Sequence, residues 1–241
     1  RSAPDGYTLV LMDPALIINP SLMANVPYDV FKDLQTVSMV SSSPLVLVVA
    51  PQLPPKTYAE FVAYAKGNPG KLNFSSAGIG TTPHLAGEMF KAAAGVNILH
   101  VPYRGVGPAT TAVLGGEVQL MYNNVATAIE HVRGGKLNAL GVGEPKRIEG
   151  LPDVPAITET VPGFEMAAWV GIFVPAKTPH PIVDRLTKET AAFLEEPETK
   201  KYFQQQFIVA AYKNPEQFQQ YIKVELDRWA GVVKTAGIKG E

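Results

Sequence analysis

Apolar and polar positions alternate in short blocks along this chain, and the period of each block predicts an element. Asp5-Gly6 opens a turn into Tyr7 to Met12, which reads as a buried strand, and a short helix follows around Ala15 to Met23. Pro44 to Ala50 is a longer strand signal, ended by Pro51, Pro54 and Pro55. Thr57 is an N-cap for an amphipathic helix over 58–67, with Phe61, Val62 and Ala65 on one face. The middle of the chain then alternates: strand 71–75, helix 83–94, strand 97–102, helix 108–114, strand 118–122, helix 125–133, strand 136–143. Glycine pairs at 115–116 and 134–135 stop two of these helices. Strand–helix–strand order with short connections predicts an α/β domain with a parallel, doubly wound sheet.

Residues 145–168 are proline-rich and irregular, and Val170 to Pro175 is one more apolar strand. Two long helices close the pattern. The first is capped by Thr178 with Pro179 at its first position; the second opens at Asn214-Pro215 with Gln217 three residues past the cap and stops at Gly237. Phe218, Ile222, Leu226, Trp229 and Val233 form the second helix's apolar stripe, a spacing that signals core packing.

Composition narrows the classes. Apolar residues make up 46% of the 241, enough to build a core, and 21 Lys+Arg against 22 Asp+Glu leave a net charge of −1, so nothing suggests a nucleic-acid or polyanion binder. Six residues, as in Leu45 to Ala50, is the longest wholly apolar run, against the ~18 that a membrane span requires. The absence of cysteine removes disulfides, thiolate metal sites and cysteine nucleophiles together. Glycine and proline, 21 each, are spread as punctuation between short elements, without a linker-like cluster.

Ligands of open α/β sheets bind at the carboxyl ends of strands, beside helix N-termini. Three such strand tips carry candidate chemistry. Ser75-Ser76-Ala77-Gly78-Ile79-Gly80-Thr81-Thr82 precedes a helix with Pro83 at its start. Its glycines let backbone approach a ligand, and its hydroxyl and N–H groups suit a carboxylate or phosphate. Without a third glycine it is not a dinucleotide fingerprint, and without Gly-Lys-Ser/Thr it is not a P-loop. The alternative is a plain tight turn with Thr82 as N-cap. At the second tip, Tyr103-Arg104-Gly105, Arg104 either pairs with a ligand carboxylate or bonds carbonyls structurally, and Tyr103 can wall a pocket. At the third, one of Asn123 and Asn124 caps the next helix and the other can donate to a ligand.

No catalytic set is present. The sequence has no Gly-x-Ser-x-Gly elbow, and His84, His100, His131 and His180 share no metal-ligand spacing. His84 and Glu88 stand four apart on one helix, a pair better explained by packing. The three tips lack Asp and Glu, and only Glu144 lies just past the fourth strand. A site of hydroxyls, amides, glycines and one arginine is built to hold an anion, with no group for acid–base work. Neither a cofactor nor a metal is expected.

Pro4 to Leu9, Ser75 to Leu85, Val101 to Gly105, Leu151 to Pro155, Pro162 to Glu165, Trp169 to Gly171 and Trp229 to Lys239 together resemble the Bug family, the periplasmic solute-binding receptors of tripartite tricarboxylate transporters. The resemblance covers essentially the whole chain. It implies the periplasmic-binding-protein type II fold, with two doubly wound lobes joined by two crossover strands, here Leu45–Ala50 and Gly171–Pro175. Lobe 1 would be 1–44 with 172–241, and lobe 2 would be 50–170. It implies a small organic carboxylate held between the lobes, with Ser75 to Thr82 as one binding loop, Tyr103, Arg104, Asn123 and Asn124 near it, and Trp169 among the ligand residues. A membrane permease as partner, a periplasmic location and a monomeric state follow from the same resemblance. Family members begin with a further strand–helix–strand stretch that has no counterpart in this sequence, so lobe 1 is expected to be incomplete and the named residues to be half of the pocket. Two other functions fit the residues: an effector-binding domain of a transcriptional regulator or sensor, and an enzyme acting on a carboxylate.

Overall fold

The computed structural model describes residues 2–23, 25–162 and 164–236, so the helix stop expected at Gly237 lies outside the described residues. The chain divides into two units, one built from residues up to Ser42 together with Ala168–Lys234, the other from Ser43–Ala167.

The second unit carries the alternating middle of the sequence. Its elements are the latter half of β2 (Leu34–Val49), α3 (Tyr58–Gly67), β3 (Asn73–Ser76), α4 (Thr82–Ala94), β4 (Leu99–Pro102), α5 (Val106–Gly115), β5 (Leu120–Asn124), α6 (Val125–Arg133) and β6 (Asn138–Val142). The pairing order is β6-β2-β5-β3-β4. The sheet is mixed, which corrects the parallel sheet expected from element order. β3 is parallel to β4 and to β5, but β2 runs antiparallel to both β5 and β6. Element order reports only the strands joined by crossover helices; β2 enters from the other unit, so its direction is not set by that rule.

This unit's sequence signals hold locally. Thr57 caps α3 by accepting from the Glu60 N–H, and α6 spans the nine residues between Asn124 and Gly134 that the pattern marks. One face of the sheet is covered by an aromatic cluster. Phe61 stacks on Phe90 at 5.4 Å, and Tyr122 stacks on Phe164 at 5.7 Å. The Tyr58 and Tyr122 hydroxyls meet at 3.3 Å. Burial pushes both phenols up, so they stay neutral. Helix α4 lies hard against β3: a Cβ on Gly87 would run into the Phe74 ring. Phe90, fully buried on α4, joins α3, α4 and β5. Phe90→Ala is expected to cost about 3–5 kcal/mol by transfer and cavity terms. Urea denaturation followed by circular dichroism measures it, and a loss under ~1 kcal/mol would show that the cluster closes over the gap.

The other unit contains β1 (Val10–Met12), α1 (Ala15–Leu22), α2 (Val30–Asp33), the first half of β2, β7 (Ala167–Pro175), α7 (His180–Glu195), α8 (Pro197–Gln205), β8 (Val209–Lys213) and α9 (Pro215–Ala236). Its strands pair in the order β1-β7-β2-β8, with β1–β7 and β2–β8 antiparallel. Val37, Val174 and Val183 form one core cluster, extended by Ile172 and Leu186. Gly171 passes under the Phe218 ring with no room for a Cβ. Asn214 and Gln217 make the expected reciprocal cap of α9, with bonds of 2.9 and 3.2 Å.

Several boundaries differ from the pattern. The first strand is only three residues, because the Asp5 carboxylate holds the Tyr7 N–H in a turn at 3.0 Å. β2 starts ten residues before its apolar run, α2 caps itself on Asp29, and α8 and β8 occupy a stretch to which the pattern assigns no element. Thr178 does not cap α7; its hydroxyl donates to the Pro175 carbonyl at 2.7 Å, and Pro179 holds the cap position.

Candidate functional site

In the Ser43–Ala167 unit, β3, β4, β5 and β6 all point the same way, since β6 and β5 are each antiparallel to β2. Their carboxyl ends therefore share one edge. That edge carries Ala77 to Thr82 after β3, Tyr103-Arg104-Gly105 after β4, Asn123-Asn124 at the tip of β5 and Glu144 after β6. Helices α4, α5 and α6 begin there, and none has a side-chain cap, whereas α3 of the same unit is capped by Thr57. Uncapped first-turn N–H groups and the positive ends of three helix dipoles converge where an anion would be held.

The loop after β3 is itself held from behind. Gly78 and Gly80 have φ of +136° and +78°, and Gly105 on the neighbouring loop +112°. The Gly105 N–H donates to the Ala77 carbonyl at 3.1 Å, tying the two loops together. Most of the hydroxyls expected to face a ligand are used by the fold. Ser75 Oγ donates to the Ala109 carbonyl (3.1 Å) and Thr81 Oγ1 to the Gly78 carbonyl (2.7 Å). Ser76 Oγ accepts from the Gly78 N–H (3.1 Å) and lies 2.6 Å from His100 Nε2. Thr82 is buried as the first residue of α4; the N-cap is Thr81, one residue earlier than expected.

Two histidines support this loop, a role absent from the sequence pattern. His84 Nδ1 accepts from the Gly80 N–H at 3.1 Å. Its ring stacks on His100 at 4.1 Å, and Phe74 lies 4.8 Å from His100. Burial lowers the His84 imidazole to about 4 and that of His100 to about 3, with Lys91 acting in the same direction on both and His84 on His100. Both are neutral at pH 7. Glu88 pairs with Lys91 at 2.8 Å instead of facing His84.

The asparagines divide the work. Asn124 occupies the N-cap position of α6 but makes no cap bond, and its buried Oδ1 has no hydrogen-bond partner. Asn123 is fully buried; its Nδ2 donates to Thr110 Oγ1 at 3.0 Å, and its Oδ1 has no partner. Glu144 Oε1 is likewise buried and unpartnered, and burial, then the Glu165 carboxylate, pushes the Glu144 carboxyl up. Arg104 is exposed and Tyr103 half-buried at the rim. Trp169 belongs to the other unit, where it is 1% exposed and edge-on to Phe218 at 5.5 Å. Among the described residues, no three His, Asp or Glu side chains are grouped to hold a metal. A cavity of about 520 Å³ lies in the other unit, lined by Tyr28, Lys32 and Lys177 among others and by none of the candidate residues of the sheet edge.

This sheet edge brings uncapped helix starts and buried amides together, a chemistry suited to holding an anion. Residues 1–238 match the tripartite tricarboxylate transporter family receptor, and the chain belongs to that family. It is similar to protein BugT of Bordetella pertussis, 35% identical over 242 residues, covering 99% of this chain and 74% of BugT. Its fold matches that of Rpa4515 of R. palustris, solved with adipate, at a TM-score of 0.91 and 31% identity, over 99% of this chain and 81% of that one. MatC (Rpa3494) of Rhodopseudomonas palustris, solved with malate, matches at a TM-score of 0.85 and 29% identity, over 96% and 81%. No helix among the described residues is long and apolar enough to cross a membrane.

Proposed function

We propose that this protein is a periplasmic receptor that captures a small organic carboxylate and hands it to the membrane permease of a tripartite tricarboxylate transporter, without transforming it. The observation that carries this is the convergence on one sheet edge of three uncapped helix starts and the fully buried Asn123, whose Oδ1 has no partner. Free N–H groups at Thr82 and the starts of α5 and α6 suit a carboxylate, and Arg104 at the rim adds a cation to pair with it. In this reading Ser75 to Thr82, Tyr103, Arg104, Asn123 and Asn124 form the ligand face, and the two units are the receptor's lobes. The relatives solved with adipate and malate support a carboxylate ligand by analogy.

A thermal-shift screen of mono-, di- and tricarboxylates, aromatic ones included, tests the proposal. A ligand at ~100 times its Kd is expected to add about 2.7 kcal/mol of stability. The bound acid is expected to be recovered unchanged after incubation. No stabilisation by any acid overturns the proposal, and turnover of the bound acid favours an enzyme.

A further inference from the structure

We propose that Asn123 and Glu144 make this site selective for carboxylic acids carrying a hydrogen-bond donor on the carbon chain, an ammonium or a hydroxyl, over unsubstituted acids of the same length; this rests on the receptor function proposed above. The hydrogen-bond network around Asn123 determines the orientation of its amide. Thr110 Oγ1 has one proton, and two acceptors compete for it: the Val106 carbonyl at 2.8 Å and Met121 Sδ at 3.8 Å. Toward Asn123 that oxygen can only accept. Asn123 therefore turns Nδ2 to Thr110 and leaves Oδ1, at the tip of β5, as an unpaired acceptor that no rotation can convert to a donor without breaking the bond. Asn124 has no such constraint and can offer either end of its amide.

Glu144 supplies a second acceptor. The Gly143 N–H donates to the Leu45 carbonyl and the Gly143 carbonyl accepts from the Met166 N–H, both at 2.7 Å. A Cβ on Gly143 would strike the Met166 carbonyl, so the backbone feeding Glu144 is clamped on both sides. The two residues lie at the same end of the sheet. Asn123 and Val142 both stand opposite Val46 of β2, and Glu144 follows two residues past Val142, just beyond the end of β6. Only β2 separates their strands, so the backbones are about 10 Å apart, a span suited to a short-chain acid.

A fully ionised, unsubstituted acid brings only acceptors. It can satisfy the helix starts and Arg104, but it leaves Asn123 Oδ1 and Glu144 Oε1 buried and unpaired. A hydroxyl or ammonium on the chain pairs those oxygens, and a site that hydrogen-bonds such a group rejects the analogue lacking it. An ammonium also offsets the Glu144 charge.

Isothermal titration at pH 8 with four-, five- and six-carbon diacids in unsubstituted, 2-hydroxy and 2-amino forms tests this on the wild-type chain, E144Q and E144A, each with its melting curve. In the wild type, a substituted acid is expected to bind at least tenfold tighter than its unsubstituted counterpart. E144Q, which keeps a neutral acceptor, is expected to retain the hydroxyl preference and lose the ammonium preference. E144A is expected to bring the ratios to within about threefold, with the unsubstituted acid bound no more weakly than before. A wild type that prefers unsubstituted acids, or ratios unchanged in a folded E144A, overturns the proposal while leaving the receptor function standing. Failure of every acid to bind the wild type overturns the receptor function and the proposal together.

Discussion

Acidification from pH 7 to pH 4 is expected to destabilise this protein, with His84 and His100 carrying most of the loss. Both imidazoles are neutral in the fold, at about 4 and about 3, against 6.5 in the unfolded chain. Between those values the unfolded state binds more protons than the folded one, so stability rises with pH across the window. The contribution is complete above pH 6.5 and is lost as pH falls through 4 and 3. Each unit of depression corresponds to ~1.4 kcal/mol. Glu144 works the other way: its raised carboxyl gives stability as the pH falls, so it blunts the slope. Asp29 and Glu159, held below the ordinary carboxylate range by Lys32 and Arg147, add losses only at lower pH. The geometry says where the damage begins. A proton on His84 Nδ1 removes the acceptor of the Gly80 N–H, and two charged rings cannot remain stacked at 4.1 Å. Urea denaturation at pH 8, 6 and 4 on the wild type and on the H84Q/H100Q variant measures the slope. The variant is expected to be less stable at pH 8 but nearly flat between 6.5 and 4; an unchanged slope would move the acid sensitivity elsewhere.

Gly80→Val is expected to weaken carboxylate binding tenfold or more. Gly80 is buried with φ at +78°, a conformation that costs a β-branched residue 1–3 kcal/mol or more. The loop can relieve that strain only by turning the Gly80 peptide, which breaks its bond to His84 and shifts Thr81 and Thr82 at the start of α4. The sheet beneath is undisturbed, because Ser75 and Ser76 are anchored to Ala109 and His100. Affinity is therefore expected to fall much further than melting temperature. A folded variant with unchanged affinity would remove this loop from the ligand face, and collapse of the fold would make the turn purely structural.

Much of the Ser43–Ala167 unit was legible because its signals are local. The α6 boundaries follow from Asn124 and the Gly134-Gly135 stop, and the cap of α3 from Thr57, since caps and glycine stops act within one turn of the chain. The position of the candidate loop after β3 follows from a topological rule that needs only strand and helix order. β2 was half missed because Leu34 to Ser43 carries no continuous apolar run, and its partners β7 and β8 come from more than 120 residues away. β8 was missed for the complementary reason. Val209, Ala210 and Tyr212 are exposed, so no buried face imposed a period on them.

Residue types and local turns thus determined which segments are helices, where they stop, and which polar groups stand at the strand tips. Those properties depend on neighbours within a few positions, which the chain itself supplies. The tertiary structure decided what each polar group is free to do. It spent the serine and threonine hydroxyls on carbonyls across the fold, and it stacked His84 from a helix onto His100 from a strand. It also locked the Asn123 amide through Thr110. A hydrogen-bonding group has a fixed number of bonds to make, and only the packed structure shows which are already made and which remain for a ligand.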